Sequence, residues 1–370
     1  MSSTRRPVTL TLAHSPDPDD VFMWWPLTGM VDPGDPARVV SPPPEDLRRE
    51  LDALGWSFRA VPADIAELNR LAIRSLEEPA ASYDITALSM FTYAHVQRDF
   101  VLTSCGASVG LDYGPKLVAL PLPGLLAPPG ADAPAHAPSA EAIRSLIARG
   151  GGAIAVPGVQ TTAFACLCML MGWKSADDWR GRVVEMPFDA ILRAVETGHG
   201  PGGGGEGGGG PRISAGLLIH QSQLTYTQHG LVELVDFGRV WKEATGLPLP
   251  LGGNALRRDL ETRLGPGSLQ RLTDLLDRSV RFALKHREES TRYAMKFAPE
   301  IDRAQADRYI DMYVSDYTLN LGEKGARAVE RLIGHAASLG LCPALGCGRQ
   351  HIVWAATGAR QNASPGARVE

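Results

Sequence analysis

The sequence predicts an α/β fold in two lobes, closed by a helical C-terminal segment. Three observations lead there. Short strand-like runs alternate with amphipathic helical runs from Pro7 to Leu256. Two stretches, 116–121 (KLVALP) and 251–256 (LGGNAL), read as the outward and return crossings between lobes. From Arg258 to Gly340 apolar residues recur every three or four positions, as in LQRLTDLLDRSVRFAL and ARAVERLIGHAASL, which is helical periodicity. A chain of 370 residues also exceeds what one small core organises. The expected division is 1–117 with 252–356 for the first lobe and 118–251 for the second, leaving 357–370 as a disordered tail.

The elements follow in order. Residues 7–13 (PVTLTLA) alternate apolar and polar and form the first strand. The run His14-Ser15-Pro16-Asp17-Pro18-Asp19-Asp20 carries prolines and acids just ahead of the apolar cluster Val21–Trp25, which is helix N-terminus chemistry. The alternatives for its carboxylates are a divalent cation or a polar ligand contact. Residues 29–44 read as a proline-rich loop, 57–61 as a strand, and 64–75 (DIAELNRLAIRS) as an amphipathic helix. Asn69 inside that helix is a poor helix former and would ordinarily face solvent. Residues 83–89 (YDITALS) form a strand ending on Ser89, followed by a helix over 90–96.

Residues 122–139 are rich in proline, alanine and glycine and read as a loop insertion, followed by a helix over 141–149. Then come a strand (153–157), a glycine turn with Thr161 and Thr162, and a nearly all-apolar helix (163–171). Amides and hydroxyls at such a helix start suit a carboxylate or phosphate, although Thr161 could equally be a plain N-cap. The spacing matches no nucleotide-binding fingerprint. A strand over 183–187 and a helix over 190–197 precede residues 198–210, where ten of thirteen residues are glycine, a flexible surface loop. The run Ser214–Ile219 is a strand that ends on His220 and opens into polar chain (QSQLTYT), and 231–237 forms another strand. Open α/β sheets present ligand-binding groups beyond the carboxyl ends of their strands. His220 is therefore the first candidate for chemistry, against the plain reading that it terminates a strand.

Composition excludes several classes. Hydrophobic residues make up 44% and charged residues 21%, an ordinary globular balance. The formal net charge of −4 offers no footprint for nucleic acid or an anionic membrane. No run of 18 apolar residues is present, and residues 1–20 lack an apolar signal core, so the cytoplasm is the expected compartment. Five cysteines (Cys105, Cys166, Cys168, Cys342, Cys347) are an odd number without metal-ligand spacing and read as structural.

Six segments occur in order: HSPDPDDVF (14–22), YDITALSMFTYAHV (83–96), GPKLVA (114–119), IAVPGVQTTAF (154–164), GLLIHQSQLTYTQHG (216–230) and TGLPLPLGGNAL (245–256). Together they resemble the 1,4-dihydroxy-6-naphthoate synthase family of the futalosine route to menaquinone, over most of the chain from Val8 to Leu339. The resemblance implies a type II periplasmic-binding-protein-like fold. It implies a lyase that converts cyclic dehypoxanthine futalosine to 1,4-dihydroxy-6-naphthoate, with no metal or organic cofactor and a small-molecule carboxylate as its partner. The family's base falls on His220, in a cleft between the lobes. Its substrate contacts fall on Ser15, Asp17, Asn69, Ser89, Thr161, Thr162 and Ala163. The chain departs from the family in having Gln221 where glutamate is common, aspartates where S-P-C-P-N-D is common, and the two low-complexity insertions. A chorismate dehydratase-like enzyme of the same route, or a solute-binding protein for a small carboxylate, are the alternatives.

Overall fold

A computed structural model describes residues 7–121, 151–201, 210–299 and 301–359, together with Glu141, Ile143, Arg144, Ser145 and Ile147. Insertion 122–139, residues 202–209 of the glycine-rich stretch and tail residues 360–370 lie outside the described residues. The five described positions between 141 and 147 are helical, as the sequence predicts. At the near ends of the glycine-rich stretch the chain pairs with itself: His199 bridges Arg212, and Gly200 N–H donates to Pro211 O at 2.8 Å.

The chain divides into two compact units. Unit 1 comprises Met1–Val109, Pro250–Glu330 and Leu345–Glu370; unit 2 comprises Gly110–Leu249 and Arg331–Ala344. The divisions therefore fall at 109/110 and 249/250 rather than 117/118 and 251/252. The end of the long helix Gly322–Ser338 is grouped with unit 2, where the sequence reading keeps it in the first lobe.

The strands are β1 (Val8–His14), β2 (Met30–Asp32), β3 (Asp35–Ser41), β4 (Trp56–Pro62), β5 (Ile85–Ser89), β6 (Phe100–Thr103), β7 (Ser108–Gly110), β8 (Lys116–Ala119), β9 (Ala153–Val156), β10 (Val183–Glu185), β11 (Ile213–Leu218), β12 (Val232–Asp236), β13 (Leu249–Arg257) and β14 (Ile352–Val353). Unit 1 is built on the order β14-β6-β13-β5-β1-β4, with β7 also paired to β13. Its β1, β4 and β5 are parallel, and β13 runs against β5 and β6. One side is covered by helix Pro18–Thr28, every residue of which is buried. That helix packs on the C-terminal helices Ser268–Lys285 and Arg287–Ala294. Trp25 Nε1 donates to Ser290 Oγ at 2.9 Å, and Ser279 Oγ donates to Met23 O at 2.7 Å. These bonds satisfy polar groups inside a core that includes Leu10, Leu12, Phe22, Trp24, Leu272 and Leu276.

Residues 29–44 correct the loop expectation, because β2 and β3 form an antiparallel hairpin. Proline at position 36 is tolerated in β3 because that strand pairs only with β2, which leaves its other edge without ladder bonds to make. The end of the chain also differs from a featureless tail: Ala356–Ala359 is helical, and Thr357 Oγ1 donates to Asp277 Oδ2 at 2.8 Å.

Unit 2 holds a five-stranded sheet in the order β10-β9-β11-β8-β12. Strands β10, β9 and β11 are parallel; β8 runs against both β11 and β12. Its core gathers Val118, Ala155, Ile191, Val195, Ile213, Leu218 and Leu231. Gly216 in the middle of β11 has a steric purpose: a Cβ there would lie 2.6 Å from Val195 Cγ2 and 2.7 Å from Ile191 Cγ2. The missing side chain lets helix Phe188–Thr197 lie directly on the strand. Cys105, Cys166 and Cys168 are buried, Cys342 is half-buried and Cys347 exposed, and all five are free thiols. Burial pushes the Cys166 and Cys168 thiols up to about 12, which keeps them unreactive.

Candidate active site

In unit 1, Ser15 and Asp17 sit just beyond the carboxyl end of β1 and are both buried. The Ser15 hydroxyl donates to Asp17 Oδ2, and the Ser15 amide donates to Asp20 Oδ2 at 2.8 Å. Asp17 occupies the N-cap position of helix Pro18–Thr28 with Pro18 at its first turn, yet its carboxylate makes no capping bond. The capping expectation is thus met in position only, because Ser15 captures the carboxylate. Asp20 is further engaged by Trp24 Nε1 at 3.3 Å. Among the described residues no group of three or more His, Cys, Asp or Glu side chains is arranged to hold a metal ion, this acidic run included. The phenol of Tyr309 is driven well above its ordinary range, by burial first and then by Asp17, Asp19 and Asp20.

His14, beside this cluster, is buried with its Nδ1 2.7 Å from Ser15 O. Burial depresses its imidazole from 6.5 to about 4, against the raising effects of the Ser15 bond and Asp17. A histidine held neutral when folded gains its proton first in the unfolded chain. Stability is therefore full above about pH 6.5, is lost as pH falls from there to about 4, and levels off below. The loss attributable to His14 is expected to reach about 3 kcal/mol. Urea unfolding across this range should show a flatter pH dependence for His14→Gln than for the wild type; identical slopes would contradict it.

Asn69 is not on a solvated face: it is fully buried and pairs reciprocally with the end of β5. Asn69 Nδ2 donates to Ser89 Oγ, and the Ser89 amide donates to Asn69 Oδ1, both at 2.9 Å. The helix Ile65–Arg74, capped by the Asp64 carboxylate accepting from Ala66 N–H at 2.8 Å, sets Asn69 against the strand end. Ser89 Oγ accepts in this pair, so its own proton remains to be donated.

In unit 2 the sheet register brings the remaining predicted residues to one edge. Glu185 pairs with Val156, and Gly216 with Ala155, so the carboxyl ends of β10, β9 and β11 lie side by side. Lys116 at the start of β8 pairs with Leu218 and with Asp236 at the end of β12, which places both at the same edge. The Gly158–Ala163 turn, His220 and Phe188 all follow directly from these strand ends. This is the edge at which open α/β sheets bind ligands.

Thr161 is the N-cap of helix Thr162–Met171. Its Oγ1 accepts from Phe164 N–H at 3.1 Å and donates to Gly158 O at 2.8 Å. Its single hydroxyl proton is therefore committed to the turn. Thr162 and Ala163 are buried in the first helical turn. Glu185 reaches across from β10, accepting from Val159 N–H at 3.1 Å.

His220 does not end the strand; β11 stops at Leu218. The residue instead occupies a tight turn with φ +54°, a left-handed conformation shared among non-glycine described residues only by Asp112. The turn is closed by Ser222 Oγ donating to Ile219 O at 2.6 Å and by Leu224 N–H donating to Gln221 O at 2.9 Å. A side chain in this region costs roughly 1–2 kcal/mol, least for small polar residues that bond locally. The imidazole lies against the ring of Phe188, centroids 4.7 Å apart and tilted by 58°.

Comparison with known proteins gives this geometry a context. The sequence matches the menaquinone biosynthesis family over residues 10–338. The chain belongs to that family. It is similar to the 1,4-dihydroxy-6-naphthoate synthase of Streptomyces coelicolor, 33% identical over 338 residues that cover 91% of this chain and 96% of the relative. The synthase of Thermus thermophilus is likewise 33% identical, over 90% of this chain and 95% of its own. Among solved structures, a protein from Archaeoglobus fulgidus superposes with a TM-score of 0.63 at 33% identity, covering 90% of this chain and 98% of the other. The alkanesulfonate-binding protein of Xanthomonas axonopodis gives a TM-score of 0.53 at 11% identity, covering 95% and 100% of the two chains. The fold of this menaquinone biosynthesis family member is thus periplasmic-binding-protein-like.

Sequence reading assigned no role to one group at this edge of the family member. Lys116 Nζ donates to Glu233 Oε2 at 2.7 Å and to Asp236 Oδ2. Tyr226 OH donates to Glu233 Oε2 at 3.4 Å, and Arg239 stands 3.7 Å from the other oxygen. Burial pulls the Lys116 ammonium down, but the bonds to Asp236 and Glu233 outweigh it and the net shift is upward. Asp236 also caps helix Phe237–Thr245 through the amides of Gly238 and Arg239. The available signal was a lysine at a strand start and two carboxylates, Glu233 and Asp236, along a later strand. Phe188 gave no signal, because an aromatic residue at a helix start reads as core.

Proposed function

We propose that this chain acts as a 1,4-dihydroxy-6-naphthoate synthase, a carbon–carbon lyase that takes cyclic dehypoxanthine futalosine, with His220 as its base. The observation carrying this reading is the placement of His220. It is the only imidazole at the carboxyl edge of the unit 2 strands among the described residues, and it sits in a left-handed turn beside the Gly158–Ala163 helix start. Neutral imidazole is the side chain suited to accepting a proton near neutral pH. When the proton is taken from a substrate hydroxyl, the oxygen's electron pair closes to a carbonyl on the departing sugar-derived part. The carbon–carbon bond breaks with its pair left on the ring, and the ring becomes aromatic, which favours the step. The helix start at Thr162 and Ala163 in unit 2 is proposed to receive the substrate carboxylate; within unit 1, the Ser89 hydroxyl, the Ser15–Asp17 pair and Asn69 are proposed as polar ligand contacts.

Thr162→Val removes a hydroxyl with little change of volume. It is expected to weaken substrate binding by roughly 1–3 kcal/mol without unfolding the protein. Calorimetric titration measures this, and unchanged affinity would leave Thr162 a plain first-turn residue. The function itself is tested by incubating purified protein with cyclic dehypoxanthine futalosine and, separately, with chorismate. Mass spectrometry should find 1,4-dihydroxy-6-naphthoate from the first and unchanged chorismate from the second; the reverse pattern would assign the other reaction.

A further inference from the structure

The geometry points to Phe188 as the positioning residue that fixes the imidazole of His220. This rests on the proposed role of His220 as base, and it extends that reading to a residue with no polar chemistry of its own.

Three features of unit 2 carry the inference. First, the left-handed φ of His220 turns its side chain out of the regular alternation of β11, so strand pairing does not orient the ring. The ring contact with Phe188, centroids 4.7 Å apart, bears directly on that orientation. Second, the backbone of Phe188 is fixed. Phe188 is the first residue of helix Phe188–Thr197, which follows β10 directly, and Gly216 lets Ile191 and Val195 of that helix press onto β11. The glycine thus sets the helix-to-strand distance, and the helix sets where the Phe188 ring meets the strand end. Third, the chain after His220 is held to the same helix and to strand β12. His229 Nδ1 lies 3.6 Å from Glu196 Oε2, and Tyr226 OH bonds Glu233 on β12. The chain downstream of the turn is therefore held, and the Phe188 ring restricts the imidazole.

A base must meet its proton in a near-attack geometry, and a displacement of about 1 Å can cost on the order of 100-fold in rate. Leucine at 188 keeps the position apolar but offers no flat face, whereas tyrosine keeps the ring.

The test uses the full chain, with Phe188→Leu and Phe188→Tyr compared to wild type and to His220→Asn. Turnover and KM are measured with cyclic dehypoxanthine futalosine, and the imidazole proton resonances of His220 are recorded in the free protein, assigned by their loss in His220→Asn. Circular dichroism confirms that each variant is folded. Phe188→Leu is expected to lower kcat roughly 10- to 100-fold with KM nearly unchanged. It should also move the His220 resonances, as the Phe188 ring current is lost. Phe188→Tyr should restore both. Resonances that stay in place in Phe188→Leu would overturn the proposal, as would a kcat within twofold of wild type while His220→Asn is inactive. If His220→Asn itself turns over normally, the base reading has failed and the positioning role falls with it.

Discussion

His220→Asn is expected to lower turnover roughly 10²- to 10⁴-fold while substrate still binds. The choice of asparagine follows from the backbone. At φ +54° most side chains add strain, but asparagine enters the left-handed region readily, so the turn between Ile219 and Ser222 should survive. The substitution then removes the basic nitrogen and little else. Alanine would mix loss of the base with strain in the turn. In the wild type, the rate at low substrate should fall on the acid side as the imidazole takes up a proton; this limb should be absent from the residual activity of His220→Asn. Near-normal turnover in a folded His220→Asn would return this residue to a turn former.

Lys116→Met is expected to destabilise the protein by roughly 3 kcal/mol. Lys116 is the cation between Glu233 and Asp236, and the Asp236 side chain is only 2% exposed. Methionine fills the space of the stem but leaves two carboxylates facing each other. Removing one member of a buried ion pair costs about 3–5 kcal/mol. The lower end applies because Glu233 keeps some solvent and Arg239 lies 3.7 Å away. Urea denaturation at neutral pH measures the loss. An unchanged stability in Lys116→Met would mean that the lysine contributes nothing beyond packing of its stem.

Both residues show what sequence alone can deliver. The alternating strands over 7–13 and 57–61, the helix over 64–75 and the C-terminal helices were legible because periodicity records which face is buried. The hairpin of β2 and β3 was not. Its strand residues lie between prolines and aspartates, and the pairing of Val31 with Val39 is a tertiary fact. His220 was legible as a candidate, but its left-handed backbone was not, since no neighbouring residue type demands that conformation. Asn69 shows the same limit from the other side. A polar residue in an amphipathic helix is ambiguous until its partner is known, and Ser89 lies twenty residues further along the chain. At Thr161 and Thr162 the local pattern fitted both a cap and an anion site. The bond from Phe164 N–H to Thr161 Oγ1 assigns the cap to the first of them.

The most direct measurement is a single-turnover experiment with protein in excess over cyclic dehypoxanthine futalosine, the product being quantified by mass spectrometry at increasing times. Wild type is expected to release one equivalent of 1,4-dihydroxy-6-naphthoate per substrate bound, and His220→Asn to hold the substrate unconverted over the same interval. Substrate recovered intact from the wild type, or the same product formed at the same rate by His220→Asn, would contradict the account.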